Sequence, residues 1–269
     1  MAKSQELHIF FFPLMAPGHL IPMINLANLF ALHGAKTTIL TTPKCTSLIQ
    51  NQINRFHLSG HSINLLVLSS SAKGNENLTS PELSTCFLKA MDDLHKPFDQ
   101  ALKEHQPNCV VTDMYLPWTQ EIASQNSIPR LLFHTMGYFA LSVIDTLDNH
   151  ATNGCVNVDQ DEMVMVHGLP HLLQMKKSQL HDTLVVDVLG VGVKVGVQEW
   201  GMREEGKEVI GRDVVERGVR RVMDEGEEKQ RLGERVNSMK EKARRAVEKG
   251  GSSCVEMERL MQEICAWRS

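Results

Sequence analysis

Residues 10–30 read FFFPLMAPGHLIPMINLANLF, and this stretch decides the fold. It completes a continuous apolar run, LHIFFF (7–12), of the kind found in a strand buried on both faces. A Pro/Gly loop holding His19 follows. Pro22 suits the first turn of a helix and Gly34 its stop. Between them Ile24, Ala27 and Ala31 recur at helical spacing. KTTILTT (36–42) is β-branched and strand-like. The result is one βαβ unit, which requires parallel strands and a right-handed crossover.

The same rhythm continues outward. INLLVL (63–68), CVVTDM (109–114), RLLFHT (130–135) and MVMVHGL (163–169) read as strands. Residues 81–105 read as a helix bent at Pro97, and 117–126 and 137–150 as further helices. A polar loop is expected over 151–162. This alternation predicts an α/β fold, a Rossmann-like doubly wound parallel sheet whose ligands sit beyond the strand C-termini.

Charge density changes near residue 185. Residues 1–184 hold 26 charged side chains, whereas the last 85 residues hold 34. All 12 histidines precede residue 182. The expected division is therefore a domain over 1–184 and a charged remnant over 185–269. The remnant reads as one short strand, GVKVGV (192–197), followed by helices from residue 212. It is too poor in apolar positions to form a second α/β domain alone, and its charge runs read first as solvated helix faces.

Bulk properties exclude several functions. A formal net charge of −4 across 269 residues recruits neither nucleic acid nor an anionic membrane. No apolar run reaches the roughly 18 residues of a membrane span, and Glu6 and Pro13 argue against a secretory signal. The six cysteines are scattered without a Cys-x-x-Cys pair, as in a reducing, cytoplasmic setting. There is no P-loop, G-x-S-x-G elbow or H-E-x-x-H. GVGVKVG lacks the strand–loop–helix context of a dinucleotide site. His57 and His61 are spaced i,i+4, but Ser59 and Gly60 break a helix and no third ligand follows, so no metal is expected. Met163, Met165 and Met175 read as gap fillers.

Two residues could do chemistry. His19 follows the first strand at a helix N-terminus, where the dipole favours a neutral imidazole able to accept a proton. The alternative is a loop histidine filling a polar gap. Asp113 ends CVVTDM and so falls on the same sheet edge. A carboxylate there can hold the other imidazole N–H; alternatively it caps the next helix or is an ordinary loop acid.

The chain resembles the plant family-1 UDP-glycosyltransferases, of the two-domain GT-B fold. The carriers are FFPLMAPGHLIPMINLANLFALHGAKTTILTTP (11–43), CVVTDMYLPWTQEIA (109–123), IPRLLFHT (128–135), GLPHLLQMKKSQL (168–180), VVDVLGVGVKVGVQEW (185–200) and KARRAVEKGGSS (242–253). The branch it is most similar to glycosylates flavonoids, other phenolics and triterpenoids. The resemblance implies that His19 is the base deprotonating the acceptor hydroxyl and that Asp113 orients it. It also implies substrate-binding positions at Gly18 and Thr135, the latter near the donor sugar. UDP-glucose is then the co-substrate, with no cofactor, and a small-molecule acceptor is the partner, while the oligomeric state stays open. C-terminal helices of this fold cross back to the first domain, so the tail helices are expected to dock there. The W-x-P-Q, H-C-G-W-N-S and D/E-Q elements of the family's donor box do not occur in these residues. SQLHDTL passes directly into VVDVLG near 183–186, so transfer by this chain alone is not expected. The alternative function is a non-catalytic remnant that binds acceptor-like molecules or a full-length relative.

Overall fold

A computed structural model describes residues 7–58, 63–69, 91–137, 141–142, 163–166, 173–176, 186, 189–195 and 210–267. The chain divides into two units, one comprising Met1–Thr135 with Ser253–Ser269 and the other Met136–Ser252. The compositional boundary at 184/185 falls within the second of these, at residues outside the described set.

The first unit is built on five strands: β1 (His8–Phe12), β2 (Lys36–Thr41), β3 (Ile63–Val67), β4 (Cys109–Asp113) and β5 (Arg130–Phe133). They pair in the order β3-β2-β1-β4-β5, all parallel. Phe11 lies between Ile39 on β2 and Val111 on β4. The central strand is buried on both faces, with Ile9, Phe10, Phe11 and Phe12 all fully buried. That explains why it reads as an uninterrupted apolar run instead of an alternating one.

Helix α1 (Pro17–Leu32) connects β1 to β2. It starts five residues earlier than Pro22 suggested, with Pro17 at its first position and Pro22 inside it. Pro17 also satisfies the helix-start rule, because its missing N–H would be unpaired there in any case. Gly34 does stop the helix: its φ of +88° is the left-handed conformation that glycine adopts at little cost. Helix α2 (Pro43–Leu58) was not anticipated. Its apolar residues Cys45, Ile49, Ile53 and Phe56 follow helical spacing and pack on the core. Helix α3 (His95–His105) follows a turn at 93–94, so the chain breaks just before Pro97, and Pro97 itself sits in the first turn. Residues 81–90 lie outside the described set. Helix α4 (Thr119–Gln125) precedes β5.

In the second unit β6 (Met163–Val166) pairs antiparallel with β7 (Leu173–Lys176), a hairpin of which only the first strand was expected. The strand expected at GVKVGV does not form over residues 192–195, and 196–197 lie outside the described set. A lone strand has no ladder to join, so its backbone gains nothing from extension. Helices α5 (Arg212–Met223) and α6 (Glu227–Val247) bear out the helical reading of the tail. Gly218 and Leu232 are their buried residues. The outer faces carry exposed i,i+4 ion pairs such as Arg217–Asp213 and Arg220–Glu216, which solvent screens, so they contribute little to stability. Helix α7 (Ser252–Ala266) belongs almost entirely to the first unit. Its Ile264 is fully buried in the sheet's core, with Met257, Leu260 and Met261 packed beside it. Among the described residues no helix is long and apolar enough to cross a membrane.

Candidate active site

Strand order decides where the site lies. From β1 the chain moves to β2 and β3 on one side, and β4 then returns to the other side of β1. The connections leaving β1 and β4 therefore diverge, and a crevice opens between them at the strand C-termini. His19 leaves β1 into this crevice, and Asp113 is the last residue of β4.

The two side chains meet. His19 Nδ1 lies 2.8 Å from Asp113 Oδ2. The carboxylate is fully buried, while the imidazole keeps 18% of its surface exposed. An ionised carboxylate only accepts hydrogen bonds, so Nδ1 donates and Nε2 holds the lone pair. The second carboxylate oxygen accepts from the Tyr115 N–H at 3.0 Å. Asp113 thus closes a short turn on its own strand and orients His19, and it does not cap α4, whose N-cap makes no side-chain bond. His19 is the third residue of α1, with its N–H bonded to the Ala16 carbonyl at 2.9 Å, so the helix fixes its backbone.

A hydrogen-bonded network lies beside this pair. Beside Asp113, Thr112 is fully buried and its hydroxyl lies 2.9 Å from that of Thr119. Arg130 Nε donates to both hydroxyls, at 2.6 and 3.0 Å. One guanidinium thereby ties β4, α4 and β5 together under the site. The aromatic ring of Tyr115 stands edge-on to the His19 imidazole at 5.4 Å and is more than half exposed. Sequence reasoning missed Tyr115, although DMY places an aromatic two residues beyond the acid.

The other expected positions lie on the same sheet edge. Gly18 is exposed in the first turn of α1, and a Cβ there would meet nothing within 4 Å. Thr135 lies two residues beyond β5 and is half-buried. Among the described residues, neither makes a hydrogen bond to the side chain of His19 or Asp113. Next to Thr135, His134 buries Nδ1 without a hydrogen-bond partner, a second imidazole that sequence reasoning passed over. The side chains of His57 and His61 lie outside the described residues. Trp118 is structural: its ring packs against Phe12, Phe98 and His95.

Comparison with known proteins gives a consistent set. No family model matches the chain. UDP-glucosyl transferase 73M2 of Saponaria officinalis is 37% identical over 188 residues, covering 66% of this chain and 38% of that protein. Nuatigenin 3-beta-glucosyltransferase of Solanum aculeatissimum is 38% identical over 193 residues, 68% of this chain and 39% of its own length. The chain thus spans about two fifths of the length of the curated relatives it matches. A crystal structure of Glycyrrhiza uralensis UGT73P12 with glycyrrhetinic acid 3-O-monoglucuronide superposes with a TM-score of 0.88 at 17% identity, covering 98% of this chain and 96% of that one. At that identity the likeness speaks for the fold: the parallel five-stranded sheet corresponds to the N-terminal Rossmann-like half of a GT-B enzyme.

Proposed function

We propose, from the premise that this chain belongs to the plant UDP-glycosyltransferases, that its first unit binds and deprotonates the acceptor for glucosyl transfer from UDP-glucose. The observation that carries the reading is the 2.8 Å contact between His19 Nδ1 and the fully buried Asp113. With Nδ1 engaged, Nε2 takes the proton of an acceptor hydroxyl. The buried carboxylate stabilises the imidazolium that forms. The acceptor oxygen attacks the anomeric carbon in line, forming the glycosidic C–O bond. The bond from that carbon to the diphosphate breaks, UDP leaves with the electron pair, and the configuration inverts. Tyr115 offers an aromatic edge beside the base for a ring-bearing flavonoid, phenolic or triterpenoid acceptor.

The chain alone does not turn over UDP-glucose at a useful rate. A general base contributes about 10²–10⁴-fold. Positioning donor and acceptor together can remove about 7–11 kcal/mol of barrier, and the donor motifs that would position UDP do not occur in this sequence. That absence favours a second reading, a non-catalytic acceptor-binding protein. The test is calorimetric titration with a panel of flavonoids, coumarins and triterpenoids, beside mass-spectrometric detection of glucosides in the presence of UDP-glucose. Acceptor binding without glucoside is the expected result. Glucoside formation that His19→Ala abolishes would overturn the claim of inactivity and keep the dyad. Absence of acceptor binding across the panel would overturn the acceptor reading itself.

A further inference from the structure

Far from the dyad, the fold of the first unit brings His33 to two residues that lie more than two hundred positions later in the chain. His33 caps the C-terminus of α1, and Cys254 and Glu258 stand one turn apart on α7. One His33 ring nitrogen, Cys254 Sγ and a Glu258 carboxylate oxygen all lie within 4.8 Å of one another. The geometry points to a zinc site with these three residues as ligands and water in the fourth position.

The donor set selects the metal. Imidazole, thiolate and a carboxylate together suit borderline-soft Zn²⁺, whereas Mg²⁺ and Ca²⁺ take oxygen shells. The contact with Leu29 sets the imidazole's tautomer. Nδ1 lies 2.8 Å from the Leu29 carbonyl, which can only accept, so Nδ1 donates and Nε2 keeps its lone pair. A metal-binding histidine is commonly held by such an outer hydrogen bond. Bond lengths agree as well. Zn–S of about 2.3 Å and Zn–O of about 2.1 Å at a tetrahedral angle place S and O about 3.6 Å apart. Cys254 Sγ and Glu258 Oε1 lie 3.6 Å apart. That contact points the thiol proton at the carboxylate. Metal binding replaces this proton with a Zn–S bond and releases it to solvent.

The charges balance as well. One thiolate and one carboxylate neutralise the dication, and neutral imidazole adds nothing. The nearby cation Arg259 is held by Glu256 at 3.9 Å and Glu263 at 3.1 Å, on either side of Glu258 in sequence. The bound ion would clip α7 to α1, stabilising the folded unit in proportion to the logarithm of free zinc over its dissociation constant.

The test uses tag-free, reduced, full-length protein and Co²⁺ as a spectroscopic probe. Wild type is expected to develop a thiolate-to-cobalt charge-transfer band that saturates at one equivalent and that Zn²⁺ bleaches. Zn²⁺ should also raise Tm and slow alkylation of Cys254, read by peptide mass spectrometry. Cys254→Ser should abolish the band, and His33→Gln should weaken Zn²⁺ binding at least tenfold. Glu258→Gln, on an exposed position where folding is not at risk, should weaken it severalfold. Cys265→Ser should leave all of these unchanged. Absence of the band in wild type, or zinc affinity undiminished in both His33→Gln and Glu258→Gln, would overturn the proposal.

Discussion

Replacing Asp113 tests the site most directly, because Asn and Ala separate its two roles. In Asp113→Ala the Tyr115 N–H and the His19 Nδ1–H both lose their acceptor. A buried donor left unpaired costs about 1–3 kcal/mol. His19 is partly exposed and recovers some of that from water. The expected loss is therefore about 2–4 kcal/mol. Asp113→Asn keeps an oxygen for Tyr115, so its loss should stay within about 1 kcal/mol. Its amide nitrogen then faces His19 and donates, so Nδ1 must accept and the imidazole proton moves to Nε2. The ring stays in place, but the lone pair needed for deprotonation points the wrong way. In a catalytic triad this fault costs about 10⁴-fold in rate, and in this chain it is visible without turnover. Urea denaturation gives the two stability changes, and ¹⁵N chemical shifts of the His19 ring report the tautomer. Wild type should show a protonated Nδ1 and Asp113→Asn a protonated Nε2. An unchanged tautomer in Asp113→Asn, or equal destabilisation by Asn and Ala, would refute the assignment of Asp113 as the orienting residue.

Other residues give independent checks. Burial, followed by the charges of Lys36 and His105, lowers the pKa of His8 from 6.5 to about 4. The unfolded chain therefore binds the proton first, and stability should fall as pH drops from 6.5 toward 4; His8→Gln, which can still reach Thr38, should flatten that part of the urea-midpoint profile, and parallel profiles would refute it. Phe98 is fully buried, stacked on Phe12 at 5.1 Å and edge-on to Trp118 at 5.6 Å. Phe98→Ala should cost about 3–5 kcal/mol in denaturant unfolding, and a loss below 1 kcal/mol would mean that this face of the sheet is not packed as described. Burial pushes the Cys109 thiol up to about 12, so alkylation at pH 8 should label exposed Cys265 in native protein and Cys109 only after unfolding. Equal labelling rates, measured by mass spectrometry, would contradict the placement of β4.

The dyad was legible in sequence because parallel strands put all their C-termini on one edge, and both residues end a strand-like run. That they occupy adjacent strands depends on β4 returning to the far side of β1, a topological fact with no local signature. Helix α2 was legible but overlooked: Cys45, Ile49, Ile53 and Phe56 carry the helical period, yet their helix has a low apolar content overall. The strand at GVKVGV was misread for the opposite reason. Its composition is right for a strand, but strand structure depends on a neighbour, and the composition of one segment says nothing about its partner. Of the cluster, only the i,i+4 spacing of Cys254 and Glu258 was legible; His33 lies more than two hundred residues away and joins them only after α7 docks.

That docking also constrains the order in which the molecule can assemble. The first unit is discontinuous: Ile264 completes a core whose other members precede residue 136, and more than a hundred residues intervene. Closing a flexible loop of that length costs about 4 kcal/mol of chain entropy by the (3/2)RT ln n relation. The β1–α1–β2 unit closes a span of about 28 residues, at a lower cost of about 3 kcal/mol by the same relation, and most of that span is the locally formed helix α1. Sheet formation should thus run ahead of α7, leaving a kinetic intermediate in which the pocket for Ile264 is open to water. The last step of folding is then a search by a single amphipathic helix for a preformed apolar groove, and its rate should depend on how compact the intervening residues have already become.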